Sequence, residues 1–108
     1  MNPIGRHYSS VVITAGSSAG TTSARFAYGP FGGGGVIIAS TEGATQISWY
    51  AASSPESTPV QIYAAGAPVT SAVTVGAIQI PDEAYGFTYV APIVVGATAL
   101  PLTIALKG

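Results

Sequence analysis

The clearest pattern in the chain lies near its end, where Leu100, Leu102, Ile104 and Leu106 alternate with Pro101, Thr103, Ala105 and Lys107. A period of two puts one set on one face of a strand and the other set on the opposite face. Short apolar runs recur along the whole chain, separated by clusters of glycine, proline and serine. Closely spaced runs of this kind are the signature of a sandwich or barrel. About eight strands are predicted, over residues 9–15, 23–28, 35–40, 45–52, 59–64, 69–75, 87–95 and 100–107, with Pro92 at a bulge or bend in the seventh. Phe26, Ile38, Ile47, Trp49, Ile62, Ile78, Ile80, Phe87, Leu102, Ile104 and Leu106 occupy alternating or bracketed apolar positions and are the expected inward residues. Residues 16–20, 29–35, 53–57 and 65–68 read as linkers, since glycine takes positive φ and proline presets φ. One helical turn is expected at 81–85, where proline suits a first turn and Asp82 and Glu83 favour a helix N-terminus.

Composition strengthens this reading. Isoleucine and valine together number 20 against 3 leucines, and there are 14 glycines and 8 prolines. β-Branched side chains lose rotamer freedom in helices and fit pleated surfaces. The expected fold is therefore all-β, an antiparallel β-sandwich. A length of 108 residues allows a single core. Residues 9–108 form that sandwich, and residues 1–8, which have no strand pattern, are read as an extended N-terminal arm. The opening residues also lack the basic-then-apolar layout of a secretory signal, so no cleaved leader is expected. From Ala84 to Leu106 there is no charge, and that length would permit a membrane span. Gly86, Pro92, Gly96, Pro101 and the alternation at the end turn the segment into strands instead, and no membrane partner is expected.

Charge changes the picture most. Only 6% of the residues are charged, against about 25% in an average soluble domain. The surface must then consist of serine, threonine, glycine, alanine and apolar atoms, a composition that invites association. Three basic residues, unclustered within a net charge of -1, cannot neutralise a run of phosphates, so nucleic acid is not an expected partner. The absence of cysteine excludes a disulfide framework, a thiolate zinc site and a cysteine nucleophile.

Candidate chemistry is sparse. The glycine run at 32–35 lacks the Gly-Lys-Ser/Thr of a phosphate loop, and Val36-Ile37-Ile38 follows it where a helix would be needed. It reads as a loop, or as a place where another backbone comes close. His7 is the only histidine, too few for a usual zinc site, and no serine stands in a nucleophile elbow. Glu42 and Glu56 fall in turn-like segments, and Asp82 and Glu83 are adjacent, so neither pair reads as a glycosidase couple. A calcium site at 82/83 would need further oxygen ligands that the sequence does not mark. No catalytic residue, cofactor or metal ligand is expected. Neighbours on a strand face opposite ways, so an inward Trp49 leaves Tyr50 outward, and an inward Phe87 leaves Thr88 outward. Outward tyrosines on a nearly uncharged sheet suit a protein interface or a sugar-stacking platform. Arg6, His7, Tyr8, Phe31, Tyr50 and Tyr63 are the candidate interface residues.

The segments Gln46-Ile47-Ser48-Trp49-Tyr50-Ala51-Ala52, Pro59-Val60-Gln61-Ile62-Tyr63, Ile80-Pro81-Asp82-Glu83-Ala84-Tyr85-Gly86 and Leu102-Thr103-Ile104-Ala105-Leu106-Lys107-Gly108 resemble small β-sandwich virion proteins of tailed bacteriophages. Among these the likeness is greatest to capsid decoration, or cement, proteins. It covers residues 46–108 and is one of texture. The resemblance implies a jelly-roll-like β-sandwich and a non-enzymatic homotrimer on the capsid surface of a virion, clamping neighbouring major capsid subunits and stabilising their lattice. The competing expectation is a glycan- or receptor-binding module of a phage tail or fibre, with Trp49, Tyr50, Tyr63 or Tyr85 as stacking surfaces. That reading requires an exposed tryptophan.

Overall fold

The computed structural model of the chain describes residues 8–28 and 33–107. Its strands are β1 (Tyr8–Gly16), β2 (Phe26–Ala27), β3 (Gly33–Ile38), β4 (Gln46–Ala52), β5 (Val60–Gln61), β6 (Tyr63–Ala64), β7 (Ala67–Pro68), β8 (Thr70–Ala72), β9 (Gly76–Gln79), β10 (Tyr89–Val95) and β11 (Ala99–Lys107). Every pairing is antiparallel. One sheet has the order β1-β11-β3-β9, and the other has β2-β10-β4-β5 with β8 also on β4. β1 pairs with β11, β2 with β10, β3 with β9, and β4 with both β5 and β8. The chain is thus one long two-stranded ribbon wrapped back on itself, a jelly roll. A small hairpin, β6-β7, projects from the tip of the ribbon, between β5 and β8.

The sandwich interior is filled from both sheets. Val36, Ile38, Leu100, Leu102, Ile104 and Leu106 come from one, and Phe26, Ile47, Trp49, Ala51, Val90 and Val94 from the other. The alternation at the end of the chain is realised in full, with four buried residues on β11 between more exposed ones. Burial of each leucine or isoleucine of this kind contributes about 1.5–3 kcal/mol.

The strand count exceeds eight because one predicted strand is divided and two were not predicted, β7 within the expected linker 65–68 and β9. The run 59–64 divides at Ile62, whose amide bonds to the Trp49 carbonyl, and the run 69–75 is a strand only over β8. β9 lies where Ile78 and Ile80 were marked inward but no strand was drawn. The run 23–28 is a strand only at Phe26–Ala27, since the residues before it wrap around Arg25. The 81–85 turn is present as a 3-10 helix at Asp82–Ala84 following Pro81. The first strand begins at Tyr8, and residues 1–7 of the expected arm lie outside the described residues.

Three further expectations are corrected. Pro92 sits in an unbroken register between Tyr89↔Ala52 and Val95↔Gln46, with no bulge. The Trp49 amide and carbonyl bond to Val69 and Ile62, away from β10, so Trp49↔Pro92 is a non-hydrogen-bonded pair. The proline nitrogen therefore points to the side of β10 where β2 has already ended, and no ladder bond is lost. Phe87 is 41% exposed, because it precedes β10, which begins only at Tyr89, and Gly86 at φ +100° turns the chain just before it. Gly33, Gly34 and Gly35 belong to β3 and pair with Lys107, Leu106 and Ala105; they are not a linker. A Cβ on Gly34 would lie 2.6 Å from the Ala105 carbonyl oxygen, so close backbone approach is what this part of the run serves.

Candidate functional site

The charged residues divide into two groups by location. Within the eleven described strands, Lys107 is the only charged side chain, and it stands at the end of the last. Glu42, Glu56, Asp82 and Glu83 are all exposed and lie in turns or the 3-10 helix. Arg25 is half-buried and bonded inward. Its Nη1 donates to the Ser57 and Ser54 carbonyls at 2.7 and 2.9 Å, its Nη2 to those of Gly20 and Thr21 at 3.2 Å, and its Nε to that of Ser23 at 3.1 Å. One guanidinium thereby ties the 20–25 segment to the 54–57 loop. A lysine has neither the fork nor enough donors for five carbonyls. Arg25→Lys is expected to cost about 1–2 kcal/mol in a urea titration, and an unchanged midpoint would contradict this bracing role.

Antiparallel sheets that face water on one side normally place polar and charged residues there. Here the outer face of the β1-β11-β3-β9 sheet is built from rows of matched positions. Val12, Thr103, Ile37 and Ala77 form one row, and Ser10, Ala105, Gly35 and Gln79 the next. Val12 is 69% exposed and Ile37 49%. Apolar and hydroxyl-bearing residues alternate across this face, with no charge until Lys107.

A depression of about 750 Å³ opens beside the end of this sheet, lined by Tyr28, Gly34, Ile80, Asp82, Tyr85 and Lys107 among others. Tyr28 is buried and packs edge-on to Phe26, with ring centroids 5.8 Å apart. Burial, reinforced by the Asp82 carboxylate and then Tyr85, raises its hydroxyl pKa above the ordinary 10.0. The fold thus disfavours ionised Tyr28. Its contribution to stability is complete below pH 10 and is lost as pH rises through the folded value. Tyr28→Phe is expected to move the alkaline unfolding transition to higher pH; an unmoved transition would mean that other groups govern it. Among the described residues no three histidine, cysteine or carboxylate side chains come together as a metal site.

Trp49 is fully buried, and its Nε1 donates to Ser71 Oγ at 2.9 Å. It offers no stacking surface. Tyr50 is half-buried on the opposite side of β4, as the alternation requires, beside Ala91 and Gln61. Tyr63 is 63% exposed on β6. These two expected interface residues stand on different strands, and only Tyr63 is prominent. Tyr8 contributes its backbone to β1, and Arg6, His7 and Phe31 lie outside the described residues. The outer-face residues Val12 and Ile37 were not among the candidates. No local pattern marks them, since each stands inside a continuous apolar run, Val11-Val12-Ile13 and Val36-Ile37-Ile38.

No protein-family profile, curated protein or solved structure matches the chain. What fold and surface define is a class: a jelly-roll sandwich whose sheets are almost free of charge.

Proposed function

We propose that this chain is a non-enzymatic structural subunit of a virion, a capsid decoration protein that seats on the major capsid lattice and stabilises it. The observation that carries the reading is the single charge among the described strand residues. Interface cores are depleted in charge, and the surface around them is not. A sheet whose outer face carries valine, isoleucine, threonine and alanine is suited to contact with protein neighbours. The jelly roll supports the reading by analogy alone, since the architecture serves both viral capsids and lectins. A protein that binds only the assembled shell stabilises it by mass action, which requires surface and no catalysis.

The glycan-binding alternative loses its principal aromatic with Trp49 in the core. Tryptophan emission is expected to be blue-shifted, resistant to acrylamide and unaffected by added sugars. Attachment is tested by co-sedimentation of the purified chain with phage shells that lack it. Saturable uptake at one stoichiometry per lattice unit is expected, together with a higher temperature of shell rupture. Failure to sediment with any shell, or a sugar-dependent shift of tryptophan emission, would overturn the reading.

A further inference from the structure

Among the described residues, β1 is a long edge strand with none of the usual protection. It spans nine residues, pairs along its whole length with β11, and makes no backbone hydrogen bond to any other described segment. Natural sheets blunt such edges with charge, proline, bulges or short length. Ser9–Gly16 contains no charged residue and no proline, and its register with β11 runs without a break. Ser9, Ser10, Val11 and Val12 are exposed on both faces of the strand.

The ladder on the far side of the sheet fixes which backbone groups are free. The Ile80 amide donates to the Gly34 carbonyl, so Gly34, Val36 and Ile38 turn their hydrogen-bonding groups to β9. Gly33, Gly35 and Ile37 then bond to Lys107, Ala105 and Thr103, and the even residues of β11 bond to β1. Their partners on β1 are Ser9, Val11, Ile13 and Ala15. The amides and carbonyls with no partner among the described residues therefore belong to Tyr8, Ser10, Val12, Thr14 and Gly16.

We propose that this edge pairs with the β1 edge of a second copy of the chain, antiparallel about a two-fold axis at Val12. Length selects the occupant. The other edge strands of the two sheets among the described residues, β9, β2, β5 and β8, have four, two, two and three residues, and only another β1 matches nine with nine. The sequence of β1 is also self-complementary in this register. Val12 meets Val12 of the second copy, Ser10 meets Thr14, Val11 meets Ile13 and Ser9 meets Ala15, so like faces like on both sides. All five free residues become hydrogen-bonded, giving about ten new backbone bonds and one eight-stranded sheet across two protomers. The contact belongs to the small class below about 1,200 Å². The symmetry is two-fold, in place of the trimer implied by the resemblance, and the pairing stands independently of any capsid.

The test is light scattering coupled to size exclusion, with the full chain loaded at about 100 μM. The mass expected is twice the 10.7 kDa of one chain. Val12→Pro removes only a free-edge N–H, and Val12→Lys places two ammonium groups against each other at the axis. Both are expected to run as monomers with unchanged circular dichroism. Register is read from Val12→Cys: hydrogen-bonded partners lie about 5.5 Å apart, within disulfide reach. The chain has no cysteine of its own, so mild oxidation should give a covalent dimer. A monomeric or trimeric wild type, a Val12→Lys dimer, or absence of the Val12→Cys crosslink would each overturn the pairing. Loss of shell binding with the dimer intact would count against the capsid reading alone.

Discussion

Replacing Trp49 by alanine is expected to remove about 3–5 kcal/mol of folding stability, the largest effect of any single side chain in the core. The indole is fully buried, and its Nε1 bonds to Ser71 Oγ. The backbone at the same residue accepts from the Ile62 amide and donates to the Val69 carbonyl. Trp49 thus stands where β4 is held at the base of the β6-β7 hairpin, between β5 and β8. Truncation would empty the centre of the sandwich and leave Ser71 without its partner. A domain of this size is stable by about 5–15 kcal/mol, so the variant would be marginal at room temperature. Trp49→Phe retains most of the apolar volume and loses one hydrogen bond, for which about 1 kcal/mol is expected. Chemical denaturation of the two variants side by side checks both values. A Trp49→Ala loss below about 1.5 kcal/mol would mean that the core can collapse around the gap.

Gly34→Ala is expected to cost about 2–3 kcal/mol or more, although it adds one methyl group. That methyl would lie 2.6 Å from the Ala105 carbonyl oxygen, 2.9 Å from Leu106 Cδ2 and 3.1 Å from Ile80 Cδ1. The leucine tip can rotate away, but the carbonyl cannot, because β11 is pinned between β1 and β3. The neighbouring glycine supplies the control. A Cβ at Gly33 meets nothing within 4 Å, and a strand glycine without steric duty costs about 0.5–1 kcal/mol relative to alanine. Gly33→Ala is therefore expected to leave stability unchanged or raise it. Opposite signs at adjacent positions of one glycine run are the outcome to look for; equal effects would show that backbone entropy, not close approach, governs the run.

The contrast between these residues shows what was legible in the sequence. Trp49, Ile47, Leu102, Ile104 and Leu106 could be assigned to the core because a period of two is a property of the strand itself. The sandwich was accessible as a class, since short β-branched runs between turn residues have few ways to bury their apolar faces, whereas the jelly-roll order rests on pairings such as β1 with β11 that no local pattern shows. Gly34 was harder: a glycine needed for flexibility and a glycine needed for close approach look alike until Ala105, 71 residues away, is in place. Phe87 failed for a related reason. It stands before β10 begins at Tyr89, just past the turn at Gly86, so the strand alternation does not reach it. Pro92 was read as an interruption because the missing N–H was charged against an unknown partner, and the partner strand on that side ends before reaching it.

The outer surface was legible only as a deficit. Six percent charge foretold a surface short of charge, and the structure adds where the shortage lies. Glu42, Glu56, Asp82 and Glu83 are confined to turns and the 3-10 helix, and both sheets are left bare up to Lys107. Val12 and Ile37, exposed in the middle of that surface, have their solvent exposure from the register β1-β11-β3, which no local pattern announces. Arg25 carries the opposite lesson. It counts as one of three cations in the composition, but its donors are used by five loop carbonyls.

The central claim is that this surface exists to be covered in a virion. It is tested most directly by counting copies of the chain in gradient-purified particles from the cells that produce it, by quantitative mass spectrometry against the major coat protein. Hundreds of copies per particle, in a fixed ratio to the coat subunit, are predicted. A chain found only in the soluble fraction, with none in the particle band, would contradict the account.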